Sequence, residues 1–484
     1  MRRHFLQSLI VNAAFVALPA HAASVSPETT HFESTPILYR VPSSGTEGGF
    51  NRIASAERTR HWFLLDTNGD GKLELVQMRD PKARENYTFN ASGHFPHWKA
   101  WTNDGTEFTN WLQTIKIPDN GTKGSFYTLG AGKTVRQWTA LPLVDRRTLE
   151  LLQTADPKTG SVFKDDEGNH FWKLYHQRAN DFAEPMKIRV FKSGKEKGFF
   201  SAFSGSGTDH WAMIDLTGDG RPDLVQTMDP KKNKPFSEKG TKAYWRVSVT
   251  PSDTANGFRL EQKGAWKVPD MGLEAGFYSY GMNDGHKQWI TFDIDGDGKP
   301  DLVQPTDPKT GKVWGSATKN PHWRVYKNLW PQQWGFAMER TIWPVLSPFD
   351  KIASGELGKH WVTMDVDGDG KPDLVQTSQT GKNQVFSEND EQFWQVYKNT
   401  GSGFSRSASR FNVPNIGTSE GLYSIAMSDD RKQWAVMDLD GDKRLDVILL
   451  VDPKTGKLWP AKDRKTVDGQ QTNDEAWRVY RGAP

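Results

Sequence analysis

The chain has 484 residues, and its 62 Lys and Arg against 59 Asp and Glu leave a formal charge of +3, too little over this length to build the basic surface that nucleic acid requires. It contains no cysteine, which excludes disulfide staples, thiolate metal sites and a cysteine nucleophile. Only 36% of the residues are hydrophobic, yet 20 are Trp and 26 are Phe, so a limited set of large aromatic side chains must supply much of the buried area.

The first element is "MRRHFLQSLIVNAAFVALPAHAASV". Arg2 and Arg3, the mostly apolar run from Phe5 to Leu18 and the small-x-small triplet Ala20-His21-Ala22 read as an export signal over 1–22. The run is too short and too interrupted to span a bilayer, and no other stretch is apolar enough. The expectation is an exported bacterial protein, periplasmic or secreted, with no integral membrane segment and no nucleic-acid partner. Residues 23–35 read as a linker, and 36–484 as one array of repeats.

Six short aromatic strands lead the repeats: "HWFLLD", "QWTALP", "HWAMID", "QWITFD", "HWVTMD" and "QWAVMD", with tryptophan at 62, 138, 211, 289, 361 and 434. Twelve residues before each stands an apolar residue: Phe50, Phe126, Phe199, Phe277, Phe349 and Leu422. Each unit continues with a loop, an extended run such as "LVQ", a polar turn and a second tryptophan strand at Trp98, Trp172, Trp245, Trp323, Trp394 or Trp477. A Gly-Phe stretch and a last run such as "SRFNVP" close it. Short aromatic and β-branched runs bounded by Gly, Asp and Pro are strand chemistry, and no helical period competes. Units of about 75 residues with four strands each predict an all-β fold, a six-bladed β-propeller of four-stranded blades. An open stack of repeats is the alternative.

The two ends bear on closure. "TPILYRVP" matches the fourth strand of a unit, whereas the chain stops just after a third strand, "WRVYRGAP". Residues 36–41 are therefore expected beside the strand at Trp477, leaving no open sheet edge. A finer alternation runs through the set: His61, Gln137, His210, Gln288, His360 and Gln433 precede the first tryptophans, and "DPKTG" is intact only at Asp156, Asp307 and Asp452. The array reads as three copies of a two-unit block.

The loops after the first strands are acidic. In "DIDGDGKPD", Asp293, Asp295, Asp297 and Asp301 occupy positions one, three, five and nine, and Lys299 at seven offers a carbonyl. Oxygen-only ligands in that number suit a hard cation, and flexible carboxylates favour Ca²⁺ over Mg²⁺. Gly298 at position six permits the sharp turn. Asp365, Asp367, Asp369, Lys371 and Asp373 repeat the set. Asp215, Thr217, Asp219, Arg221 and Asp223 keep three acids, and Asp66, Asn68, Asp70, Lys72 and Glu74 carry one neutral oxygen ligand. Asp438, Asp440, Asp442, Arg444 and Asp446 are complete, but Lys443 replaces the turn glycine. Unit two has Arg146 and Arg147 where acid and glycine belong, so four or five Ca²⁺ are expected and that loop should hold none. Acidic turns without metal are the alternative. An EF-hand is excluded by Gln304 at position twelve and by flanking strands in place of helices.

Strand, "D-x-D-G-D-G-x-x-D", "LV", turn and then "WQVYKNTGSGF" at 394–404 together resemble the FG-GAP/VCBS family of calcium-binding propeller repeats, including integrin α-subunit propellers and certain propeller lectins. The resemblance covers nearly all of 36–484. It implies calcium in loops on the outer part of one face, where the ion stiffens the blade. The units here are longer than the family's usual repeat and number six where its best-known members have seven.

For function the inventory is thin: no HExxH, GxSxG or phosphate-cradling glycine loop is present. His61, His210 and His360 either meet at the axis as a transition-metal site or cap strand ends. Trp101, Trp111, Trp330, Trp334 and Trp343 lie outside the repeat positions and either stack on sugar rings or pack the core. With most acids committed to the loops, binding is favoured over catalysis. The expected function is a monomeric binding or adhesion module for a glycan or an extracellular protein surface. A lyase-like polysaccharide-degrading enzyme and a pure scaffold are the alternatives.

Overall fold

The computed structural model describes residues 31–42, 62–80, 96–119, 126, 137–141, 143–144, 149–194, 198–200, 211–232, 234–237, 243–251, 259–260, 264–269, 289–345, 361–379, 382, 384–416, 422, 434–461, 466–467, 470–471 and 475–483. Among them regular structure is β throughout, apart from one turn of 3₁₀ helix at Ser316–Thr318. Among the described residues no helix is long and apolar enough to cross a membrane.

The sheets are small and arranged as in a propeller. Unit four shows the pattern: Ile290–Phe292, Asp301–Gln304, His322–Tyr326 and Thr341–Pro344 pair antiparallel in chain order, with Ile290 opposite Val303 and Trp323 opposite Trp343. The same order holds in the sheets that begin at Trp62, Trp138, Trp211 and Trp361. The second strand, such as "DLVQ", is buried on both faces, which is why it reads as a continuous run. In the sheet of Trp434–Met437, Asp446–Leu449 and Glu475–Tyr480, the fourth strand is Ile37–Arg40, with Tyr39 opposite Trp477. The expected pairing of 36–41 beside Trp477 is seen.

The repeated aromatics explain themselves at the junctions. All six second tryptophans are fully buried. Trp98 packs on Trp138 of the next unit at 6.1 Å between centroids, Trp172 on Trp211 at 5.9 Å, and Trp394 on Trp434 at 6.4 Å. The apolar residue twelve before the first tryptophan supplies a carbonyl. The indole N–H groups of Trp98, Trp172 and Trp394 donate to Phe126 O, Phe199 O and Leu422 O at 2.6–2.8 Å. These three junctions thus bury large area while pairing the indole donor of the second tryptophan.

The Gly-Phe stretches form straps. Gly335 and Phe336 of unit four lie on Lys267, the last residue of unit three's fourth strand (Gly264–Lys267), with Lys267 N–H donating to Trp334 O at 3.0 Å and Phe336 N–H to Lys267 O at 2.9 Å. A Cβ on Gly335 would lie 2.7 Å from Lys267 O, so only glycine fits there. Phe336 then enters between Trp245 and Trp266, as Phe404 does between Trp323 and Trp343. Arg259–Leu260 covers Met186–Val190 as a parallel strand, and Lys116 N–H donates to Asn180 O. Among the described residues, units two to five each reach in this way onto the outer strand of the unit before.

The last strap, "RGAP", has no phenylalanine, and this corrects the reading of 23–35 as a linker. His31–Phe32 is a strand between Ser409–Val413, to which it runs parallel, and Gly482–Ala483, to which it runs antiparallel. Phe32 is buried edge-on against Trp394 at 5.7 Å and Phe411 at 5.0 Å. It fills the place that a Gly-Phe strap fills elsewhere.

Candidate metal centres

Each acidic loop is a tight turn between the first and second strands of its unit, and its first carboxylate organises it. In unit four, Asp293 Oδ1 accepts N–H groups of Gly296 and Asp297, and Oδ2 accepts that of Gly298, at 2.7–3.1 Å. Asp365, Asp215, Asp66 and Asp438 repeat this scheme. The fold back needs left-handed backbone at position six: φ is +85° at Gly298 and +83° at Gly370, and Lys443 is held at +71° in unit six. That left-handed backbone costs a lysine energy that it would not cost a glycine.

The position-nine acid is the buried floor. Asp301 is 2% exposed and Asp373 1%. Asp301 Oδ1 accepts Asn328 N–H at 2.8 Å and Asp373 Oδ1 accepts Asn399 N–H at 2.7 Å, but Oδ2 of each has no donor, and neither has buried Asp295 Oδ1. Burial pushes the carboxyls of Asp301, Asp373 and Asp446 up to about 8, and those of Asp293, Asp365 and Asp438 up to about 6, with neighbouring loop acids adding to the rise. Glu74 rises to about 7 for the same first reason, and Asp66, Asp215, Asp223 and Asp440 are also raised.

Among the described residues, three groups of carboxylates bring ligand oxygens within 4.8 Å of one another and could hold a metal ion: Asp293, Asp295 and Asp297; Asp365, Asp367 and Asp373; and Asp438, Asp440 and Asp446. Loops one and three converge less. Asn68 Nδ2 spends itself on Asp70 and Glu74, and Thr217 Oγ1 on Asp215. Asp223 has both oxygens taken, by Leu216 N–H and Thr250 N–H. The position-seven side chains lie back on position five: Lys299 on Asp297, Lys371 on Asp369 at 2.6 Å, Arg221 on Asp219 at 3.0 Å and Arg444 on Asp442 at 3.4 Å.

Two sets of residues were not anticipated. Lys327 Nζ meets Asp295 Oδ2 at 2.6 Å, Lys398 Nζ meets Asp367 Oδ2 at 3.0 Å, and Arg481 Nε meets Asp440 Oδ2 at 3.1 Å. All stand four residues after the second tryptophan, and that recurring cation was the available signal. An asparagine five residues after the second tryptophan ties loops together: Asn328 Nδ2 donates to Leu216 O, Asn399 Nδ2 to Ile294 O and Asn103 Nδ2 to Leu439 O, each in the loop of another unit. Successive loops touch, since a Cβ on Gly218 would lie 2.5 Å from Gly298 O.

Unit two carries a different set at this place. Glu150 at position nine accepts Leu143 N–H and Val144 N–H and faces His176 Nδ1 at 2.5 Å. Arg146 and Arg147 lie outside the described residues, as do His61, His210 and His360. Of the extra tryptophans, Trp101 and Trp343 belong to the core, whereas Trp334 is 37% exposed. Trp334 stands edge-on to Trp266 at 6.1 Å and to Trp330 at 5.2 Å.

No family model matches the chain, and no curated protein does. Among solved structures, a Photorhabdus luminescens Tc holotoxin pore aligns over 94% of this chain and 15% of its own, at 14% identity and a TM-score of 0.45. A lectin from Agrocybe aegerita, described by its recognition of non-reducing terminal N-acetylglucosamine, aligns over 94% of this chain and 96% of its own, at 14% identity and a TM-score of 0.44. At that similarity the function has to be argued from the residues of this chain.

Proposed function

We propose that the chain is an exported β-propeller whose six units close into one ring, stiffened by calcium in the loops of all units but the second, and that it serves as a binding module for glycans. The observation that carries the cation is the set of buried carboxylate oxygens without a donor, Asp295 Oδ1, Asp301 Oδ2 and Asp373 Oδ2. A buried charged acceptor left unpaired is strongly destabilising, and a hard divalent ion among these oxygens offsets that cost. The ligands are the acids at positions one, three, five and nine, with Asn68 and Thr217 standing in at position three of units one and three.

Closure is supported by two contacts between the last and first units. Asn103 reaches Leu439 O as Asn328 reaches Leu216 O, and Tyr39 and Trp477 share a core with Leu75 and Phe108. The glycan reading is supported by Trp334, an exposed indole braced by two other tryptophans and so offering a rigid apolar face at little entropic cost.

Elemental analysis with melting curves in calcium and in EGTA tests the first part. Four or five calcium ions per chain and a markedly lower melt in EGTA are expected; no calcium and an unchanged melt refute it. A glycan array probed with wild type and Trp334→Ala tests the second, with retention expected for wild type alone. Sustained release of unsaturated or reducing sugar ends by the purified protein would instead establish an enzyme.

A further inference from the structure

We infer that Lys327, Lys398 and Arg481 set the charge of the loops they reach, so that the ligand positions of every metal-binding loop, with any cation that reaches them, carry two net negative charges and take one divalent cation. The inference rests on the calcium reading of the loops.

The strand register makes the comparison between units exact in position. Leu302 pairs with Tyr326, Leu374 with Tyr397 and Val447 with Tyr480, so the residue that follows each tyrosine stands beside the end of the loop. The equivalent pairs are Leu75 with Trp101 and Leu224 with Ser248, which puts Thr102 and Val249 in the same place in units one and three. Where position three is an aspartate (Asp295, Asp367, Asp440), this place holds Lys327, Lys398 or Arg481; where it is Asn68 or Thr217, it holds Thr102 or Val249. Acid and cation appear together or not at all.

The charge follows from six positions: one, three, five, seven, nine and this one. Units four, five and six set four carboxylates against two cations, and units one and three set three against one, Lys72 or Arg221. At these six positions all five loops are left with two negative charges by two different routes, and Lys443 at position six of unit six, outside them, lowers that loop's own total to one. In unit two the same positions hold Arg146 against Glu150, leaving no net negative charge before His176 is counted. The geometry shows how the added cation leaves room for a metal. Lys327 takes Asp295 Oδ2 while Oδ1 stays without a donor, facing the same loop as Asp301 Oδ2. Ligand charge count tunes the affinity of oxygen-ligand sites, and a further unit of negative charge favours a trivalent ion over a divalent one.

The test uses Ca²⁺ and Tb³⁺ as probes on the whole protein, with Tb³⁺ followed by tryptophan-sensitised luminescence. Lys327→Met keeps the stem and removes the charge, and should raise the Tb³⁺ over Ca²⁺ preference of one site about tenfold. Thr217→Asp should do the same in unit three, and Thr217→Asp/Val249→Lys should restore the wild-type ratio. A structural role for Lys327 alone would not produce that rescue. If wild type binds both ions but the double variant keeps the ratio of Thr217→Asp, charge setting is refuted and the calcium reading stands. If wild type binds neither ion, both fall.

Discussion

Asp301→Asn should stabilise the protein without calcium and lose that advantage with calcium. Asn can keep the bond from Asn328 N–H and replace the donor-less Oδ2 with an amide that donates, within the same loop as the donor-less Asp295 Oδ1. Burial raises the Asp301 carboxyl to about 8, against about 4 in an unfolded chain. A carboxyl raised in this way costs nothing below the unfolded value. The cost then grows as pH rises, until the folded group ionises near 8. At pH 7 it is on the order of 4 kcal/mol, and with Asp301 only 2% exposed solvent does little to screen it. Over about 450 cooperatively folded residues, that amounts to about 4 °C in melting temperature. Under EGTA the variant should therefore melt above wild type at pH 7 to 8 and level with it near pH 4. In saturating calcium that advantage is offset, because wild type gains about 3–4 kcal/mol from its site at 100 to 1,000 times its dissociation constant. Thermal melts over that pH range in both buffers decide the matter. A variant that melts below wild type by the same amount in EGTA and in calcium would falsify the argument.

Three further outcomes are expected. Phe32→Ala should cost about 3–5 kcal/mol in urea unfolding, because it empties the pocket on Trp394 and Phe411; a neutral effect would restore the linker reading. Trp172→Phe should leave the buried Phe199 carbonyl without its donor and cost at least about 1–3 kcal/mol, a loss that a hydrogen-bond-independent packing role would not predict from so small a change in shape. Lys443→Gly relieves a left-handed φ of +71° and should gain about 1 kcal/mol while tightening calcium at unit six; isothermal titration showing weaker binding would count against it.

The strand chemistry and the acidic loops were legible because both recur at one spacing. Trp323 and Asp301 each have counterparts in the other units, and a period shared by five or six copies outweighs any single ambiguous run. Lys327 escaped because it lies 32 residues from Asp295, and only the register of Leu302 with Tyr326 brings the two together. Local patterns do not encode that distance. Phe32 escaped for a related reason. A two-residue strand has no alternation to read, and its role depends on what "RGAP" lacks at the other end of the chain. The Gly-Phe stretches were seen as repeats, but their use required the outer strand of another unit, which no single unit contains.

The one-way direction of the straps has a consequence for how the chain is made. As synthesis proceeds from the N-terminus, the outer strand of each finished unit stays bare until the next unit delivers its strap. A bare strand edge is the surface on which chains aggregate, and here only one need be open at a time, moving along the chain with the ribosome. Ile37–Arg40 is made long before its partner Glu475–Tyr480, and Phe32 long before Trp394. The nascent protein therefore carries an unmatched strand at Ile37–Arg40 until Glu475–Tyr480 has emerged.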